Sequence, residues 1–307
     1  MDMYQKRKIR AEKKKEDSPK SFPSVGINWY PGHMAKTKRE IKEKIDLIDI
    51  VYEVIDARMP LSSKITDIDT LIKDKPRILI MTKYDLCDKE KTKEFITYYE
   101  SLNYKVVAVS LPTKENVAKI ITISNEVSET LNSKRKAKGL KPRKLRALII
   151  GAPNVGKSTL INALVGKKVA GVGNKPGFTK SLGWIRVGKN IELLDSPGIL
   201  WPKLENQHQA HILALFSSIK EEILNKEDLA FFAIDILKKQ YKDKLESRYN
   251  IAITTDDNIE IMTEIGKKRG CLSRGEVDFE KTSLIILNDI KNNAFKEITL
   301  DSFESNN

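Results

Sequence analysis

The stretch LRALIIGAPNVGKSTLINALVG, residues 145–166, constrains this chain more than any other. An apolar run ends at Gly151, the spacing Gly-x-x-x-x-Gly-Lys-Ser runs from Gly151 to Ser158, and a helix-forming segment follows. A strand that turns through glycines into a helix aims main-chain N–H groups and a helix N-terminus at one anion. Lys157 adds a point charge for the outer phosphates of a nucleotide, and the Ser158 hydroxyl is suited to ligate Mg2+. Asn154, Val155, Gly156 and Thr159 complete the loop. A chance Gly-Lys-Ser would lack the strand before it and the helix after it. The fold expected is therefore α/β, a mainly parallel sheet with helices on both faces.

Downstream, LLDSPGIL carries Asp195 at the end of an apolar run and Gly198 three residues later. In such a D-x-x-G arrangement the carboxylate holds Mg2+ through water and the Gly198 N–H meets the terminal phosphate. Between the two motifs, NKPGFTKS contains Thr179, able to complete the Mg2+ shell when a γ-phosphate is present. Base choice is written in RILIMTKYDLCD, residues 77–88, whose Thr82-Lys83-Tyr84-Asp85 has the Asn/Thr-Lys-x-Asp form that reads guanine. The Asp85 carboxylate accepts from two guanine N–H groups, where adenine offers no matching pair. Lys83 would lie over the base and brace the phosphate loop. Ser110-Leu111, after YKVVAVS, fits the loop that backs the guanine carbonyl with a main-chain N–H. Alone, Thr82–Asp85 is also compatible with a polar turn after a strand. Beside a phosphate loop the guanine reading wins.

The order of these motifs is unusual, because the base reader precedes the phosphate loop. Apolar runs at 50–58, 77–83, 104–110 and 145–153 alternate with helix-length segments, which predicts parallel strands with crossover helices. Gly188-Lys189-Asn190 between GWIRV and IELLD predicts a hairpin. Each motif then ends its own strand at the sheet edge where ligands bind. Strand ends keep their places if old termini are joined and the chain is opened elsewhere, so the order is that of a circular permutation. The basic segment 132–146 is the expected joint, and the new opening follows Gly198. NWYPGHMAKTKREIKEKIDLID predicts a turn and then a helix with Ile41, Ile45 and Ile48 on one side. Beyond Trp201-Pro202 the strand signal stops, and 209–224, 228–249 and 279–294 carry helical spacing. The expected division is a basic, disordered tail at 1–26, a permuted nucleotide-binding domain at 27–203 and a helical domain at 204–307.

Charge is distributed unevenly. The net charge is +13, yet residues 204–307 hold 14 Lys/Arg against 19 Asp/Glu. Residues 1–20 hold eight bases against four acids, and 132–146 hold eight bases and no acid. Such runs are commonly solvated tails and linkers; two of them flanking a nucleotide-binding core favour a polyanionic partner. No apolar run approaches a membrane span. Asp2, Glu12, Glu16 and Asp17 argue against a targeting peptide. The two cysteines, Cys87 and Cys271, show no metal or redox spacing. A cytoplasmic protein with no membrane partner is expected.

NWYPGHMAK, DAR at 56–58, TKYD, GAPNVGKSTLIN, NKPGFTK and DSPG, in this order, resemble the circularly permuted GTPases of the YlqF/YawG class. The resemblance covers about residues 28–300, including KKRGCLSRGEVDFEKT. It implies a GTP-hydrolysing factor, acting as a monomer, that binds the large ribosomal subunit precursor and its rRNA late in assembly, with ribosome-stimulated hydrolysis. It also implies an ANTAR-like helical C-terminal domain, whose rRNA contact would fall to Lys267, Lys268, Arg269 and Arg274. The position after D-x-x-G holds Ile199, which can neither orient water nor accept a proton. A lone histidine after Pro-Gly reads by itself as a capping or packing residue, but the family has a catalytic histidine in this motif, which makes His33 the candidate. Asn154 occupies the position where K+-stimulated GTPases of similar sequence coordinate K+, so the expected cofactors are Mg2+ and K+ with GTP as substrate. His208 and His211 have no companion ligands and read as surface or packing residues. Two other classes stay open: a P-loop ATPase or kinase on a small substrate, which TKYD opposes, and an RNA-binding protein with a purely structural nucleotide site.

Overall fold

The apolar runs pair as parallel strands of one sheet. A computed structural model describes residues 32–66, 68–171, 182–200, 206–219 and 224–303. The tail at 1–26, the turn before Gly32, Thr179 and Trp201-Pro202 lie outside the described residues. Strands β1 (Ile50–Asp56), β2 (Arg77–Thr82), β3 (Lys105–Ala108), β4 (Leu145–Gly151), β5 (Gly183–Val187) and β6 (Ile191–Asp195) form one sheet in the order β3-β2-β1-β4-β6-β5. Every neighbouring pair is parallel except β5–β6, the hairpin turned by Gly188-Lys189-Asn190. The register sets Val54 against Gly151 and Asp56 against Thr82, which brings the ends of β1, β2 and β4 together.

β1 is buried at every residue, because helices cover both faces of the sheet. One face carries Val51, Leu148, Ile150 and Leu194 under Ile41, Ile45 and Ile48, which lie on and just beyond helix α1 (Gly32–Lys44), and under the short α2 (Ile68–Ile72). The same face continues through Ile55, Leu79 and Met81 to Phe95 and Tyr99 of α3 (Lys89–Ser101), capped by Asp88 accepting from the Lys91 N–H. The other face packs Tyr52, Val54 and Ile149 against Ile120 of α4 (Val117–Ala137) and Leu160 and Ile161 of α5 (Lys157–Val165).

The basic joint differs from its expected form. Residues 132–137 are the last turns of α4, and 145–146 already belong to β4, leaving only 138–144 as connection. Ser133 to Ala137 are acceptable to good helix formers, and cations suit a helix C-terminus. The connection is also tied down. Asn132 Nδ2 donates to the Arg143 carbonyl at 3.1 Å and its Oδ1 accepts from the Arg143 N–H at 3.0 Å. The Arg143 guanidinium forks onto both Asp49 oxygens at 2.7 and 2.6 Å.

The C-terminal third holds α6 (Gln207–Leu215), α7 (Lys226–Gln240), α8 (Lys242–Tyr249), α9 (Asn258–Lys268) and α10 (Phe279–Lys291). The single helix expected at 228–249 is two, broken at Tyr241 (φ −145°, ψ 47°), whose hydroxyl bonds both the N–H and the carbonyl of Thr299. A small hairpin, β7 (Leu272–Ser273) and β8 (Glu276–Val277), escaped the sequence reading because strands of two residues have no periodicity. Its turn residues Arg274 and Gly275 both have positive φ, the type I′ requirement. The chain end returns to the sheet: Leu300 N–H donates to the Arg58 carbonyl at 2.8 Å, and Asp301 accepts from Leu61 N–H, Ser62 N–H and Ser62 Oγ.

Candidate functional site

The phosphate loop links the end of β4 to the start of α5, with Asn154 (φ 60°) and Gly156 (φ 97°) in left-handed conformations. Gly151 has no room for a side chain, since a Cβ would stand 2.3 Å from the Val54 carbonyl oxygen. The Lys157 ammonium donates to the carbonyls of Gly151 (3.0 Å) and Ala152 (2.7 Å) beneath the loop. Burial lowers its pKa to about 8, against the opposite pull of Asp195. Ser158 and Thr159 stand in the first turn of α5, where the helix N–H groups are free of intrahelical partners.

Asp195 ends β6, buried, and its Oδ1 has no hydrogen-bond partner. Burial pushes this carboxyl up to about 6, against Lys157 and the Ser196 N–H. An orphaned buried carboxylate oxygen close to a phosphate loop is what a hydrated Mg2+ would satisfy. Among the described residues no group of three or more His, Cys, Asp or Glu could cage a metal. Mg2+ relies on one or two protein ligands plus phosphates and water. Asp195 and Ser158 fit it; Thr179, the third expected ligand, lies outside the described residues. Gly198 packs directly on the phosphate loop, a Cβ there meeting Pro153 Cα at 2.8 Å. Ile199 donates its N–H to the Gly151 carbonyl at 3.1 Å and buries its side chain with Ile41, Ile45 and Ile48.

The base-reading segment closes on the same loop. Thr82 Oγ1 bonds the Val155 carbonyl and, at 3.1 Å, that of Ile55. Lys83, at φ 59°, sends its ammonium to the Asn154 carbonyl (2.8 Å) and to Asp56 Oδ2 (2.7 Å). Tyr84 N–H reaches the Val109 carbonyl at 3.2 Å, joining this loop to the one after β3. Asp85 is exposed, Ser110 is buried and accepts from Thr113 Oγ1 at 2.7 Å, and the Leu111 side chain abuts Gly156. Loops from β2, β3, β4 and β6 thus meet around one phosphate loop.

His33 lies in the first turn of α1, and its side chain is outside the described residues. His208 and His211 pack their rings on Phe232 at 5.2 and 4.8 Å, with His211 Nδ1 bonded to the Gln207 carbonyl. Lys267, Lys268, Arg269 and Arg274 are exposed at the end of α9 and the tip of the β7–β8 hairpin.

Other neighbours of the loop were not legible in sequence. Asn154 Nδ2 donates to the Ser217 carbonyl (2.6 Å) and Ser218 Oγ to the Pro153 carbonyl (2.8 Å), so the turn after α6 touches the phosphate loop. Asp56 and Arg58 stood out only as a family signature. In the sheet Asp56 stands directly opposite Thr82, a pairing that the register shows and the sequence does not.

Comparison with known proteins agrees with this geometry. The family described as 50S ribosome-binding GTPase matches residues 146–267. A GNP-bound crystal structure of YlqF from T. maritima has the same fold, with TM-score 0.62 at 23% identity over 87% of this chain and 97% of that one. Ribosome biogenesis GTPase A of Priestia megaterium is 43% identical over 90% of this chain and 96% of its own length. That of Bacillus pumilus is 44% identical over 91% of this chain and 99% of its own. The chain belongs to the ribosome biogenesis GTPase A family.

Proposed function

We propose that this protein binds GTP and hydrolyses it to GDP and phosphate as an assembly factor in late maturation of the large ribosomal subunit. The observation that carries this reading is the convergence on Gly156: Thr82 of the base-reading motif and Leu111 of the following loop both border it. Nucleotide base and phosphates are thereby read by one rigid cradle. Asp85 accepts the paired guanine N–H groups. The main-chain N–H groups of the loop and the N-terminus of α5 hold the phosphates, and Lys157 exchanges its two loop carbonyls for phosphate oxygens. Mg2+, when bound, neutralises charge building on the β- and γ-phosphates. Asp195 and Ser158 would hold it, with Thr179 joining in the GTP state.

Hydrolysis needs a water aligned with the γ-phosphate, and Ile199, fully buried in an apolar cluster, gives no help. His33 is the group we assign to orient or deprotonate that water once the protein docks on the ribosomal particle. The isolated protein should therefore turn over slowly. K+ at Asn154 is part of this proposal, as are contact of Lys267, Lys268, Arg269 and Arg274 with rRNA, action as a monomer and a cytoplasmic location. Among the described residues no helix is long and apolar enough to cross a membrane.

Nucleotide competition tests the core of the proposal. GTP and GDP should bind with micromolar Kd and ATP at least about 100-fold more weakly, near 3 kcal/mol. Asp85→Asn exchanges an acceptor for a donor and should shift preference to xanthine nucleotides. ATP displacing GTP at equal concentration would remove the guanine reading.

A further inference from the structure

The guanine-reading lysine is held in place by a chain of polar contacts that begins in the helical third. Lys83 has two acceptors, the Asn154 carbonyl and Asp56 Oδ2. Asp56 is wholly buried at the end of β1, and its remaining capacity is filled by one residue, Arg58. The Arg58 N–H and Nε donate to Oδ1 at 3.0 Å each, and Nη2 donates to Oδ2 at 2.7 Å. Arg58 is in turn gripped from the C-terminal side. Its Nη1 donates to Asn293 Oδ1 at 2.5 Å, its guanidinium lies 4.0 Å from the centre of the Phe216 ring, and its carbonyl accepts from Leu300 N–H.

We propose that Arg58 is a positioning residue for guanine binding and that Asn293, just beyond α10, sets it from the helical third. This rests on reading Thr82–Asp85 as the guanine site. A buried carboxylate that must serve a partly buried ammonium needs further compensation, or one of the two charges leaves the site. Arg58 supplies it with fixed bidentate geometry that aims Oδ2 at Lys83. Lys83 itself sits at φ 59°, a conformation that a non-glycine residue keeps only when its surroundings over-determine it. Removing the guanidinium leaves Asp56 with one cation, and Lys83 with an acceptor that takes a proton more readily. The helical third is consequently wired to the base as well as to the phosphate loop, and a partner that shifts Asn293 changes nucleotide affinity.

A merely structural ion pair would alter melting temperature alone, so the test reads GDP affinity against pH. Asp56 faces Arg58 and Lys83 directly, with Cys87 beyond them and Asp85 acting on Lys83. Burial works against the ionised form of Asp56, but the two cations hold its carboxyl well below the usual range. Asp56 should therefore add nothing to the wild-type profile between pH 7.5 and 5.5, a window in which Asp195 and the nucleotide's own phosphate titrate, so each variant is compared with wild type at each pH. Arg58→Gln should raise Kd about tenfold over wild type at pH 7.5 and about a hundredfold at pH 5.5, as Asp56 protonates. Arg58→Lys, a cation without the fork, should restore the wild-type pH dependence but only part of the affinity. Asn293→Ala should raise Kd about threefold, and it carries the test if Arg58→Gln fails to fold. A folded Arg58→Gln, or in its place Asn293→Ala, with wild-type Kd at both pH values overturns the proposal. Asp85→Asn is the control: should it bind GDP like the wild type, the guanine reading falls, and this proposal with it.

Discussion

At the scale of single residues, the site stores a stability cost that its ligands relieve. Asp195 has a carboxyl raised from 3.8 to about 6 by burial, with one oxygen unpartnered. A group whose folded pKa lies above its unfolded value favours the folded state below the unfolded pKa, and that contribution is lost as pH rises through the folded one. Between about pH 4 and 6 the nucleotide-free protein should lose up to about 3 kcal/mol from this group alone. Asp195→Asn should accordingly raise the melting temperature in EDTA at pH 7.5 while abolishing Mg2+-dependent turnover. A melting temperature that falls would mean the carboxylate stabilises the free protein. Lys157 gives the converse signature. Its pKa of about 8 rises when phosphates replace the loop carbonyls, so nucleotide binding at pH 8.5 should take up a proton. Calorimetry in buffers of different ionisation enthalpy measures this, and Lys157→Met should remove the uptake. Each was legible because it belongs to a short motif, Lys157 to the loop from Gly151 to Ser158 and Asp195 to the D-x-x-G ending at Gly198. Arg58 and Asn293 were not: they lie 235 positions apart, and nothing local to either encodes the pairing.

At the scale of elements, the joint that permutation creates has acquired its own anchorage. Asp49, at the entrance to β1, takes both guanidinium arms of Arg143 and the Arg146 N–H. Asp49→Ala leaves those donors without an acceptor and should cost about 1–3 kcal/mol in chemical denaturation, with nucleotide affinity unchanged. Lys134, Arg135, Lys136 and Lys138 ring the end of α4, where the sequence suggested a solvated linker. A helix presents them as one rigid basic cluster. If it touches rRNA, neutralising all four should lower the slope of log K against log salt by about 3. An unchanged slope would leave them as complements to the helix dipole. The long elements were legible from hydrophobic periodicity, as Ile41, Ile45 and Ile48 illustrate by their common burial. The break at Tyr241 was not, because the contact that makes it comes from Thr299, 58 residues further on.

At the scale of the whole molecule, the helical third meets the nucleotide site at two places, the phosphate loop through Ser217 and Ser218 and the base through Asn293 and Arg58. The sheet order brings base reader and phosphate loop to one edge despite their reversed order in the chain: β2, which ends in the base reader, and β4, which leads into the phosphate loop, flank β1 at the centre. His33 stands on the helix whose Ile41 packs with Ile199. His33→Ala should lower particle-stimulated kcat by about 10²–10⁴-fold with GTP affinity preserved; a loss of melting temperature with normal kcat would make it a packing residue.

If the protein acts as the large-subunit assembly factor proposed above, its docking on the particle should follow the nucleotide it holds. Co-sedimentation of the full chain with purified small and large subunits, in GDP and in a non-hydrolysable GTP analogue, measures it most directly. The expected result is binding to large-subunit particles in the analogue, at least about tenfold weaker binding in GDP, and steep weakening with salt. Equal sedimentation in the two nucleotides, or preference for the small subunit, would contradict it.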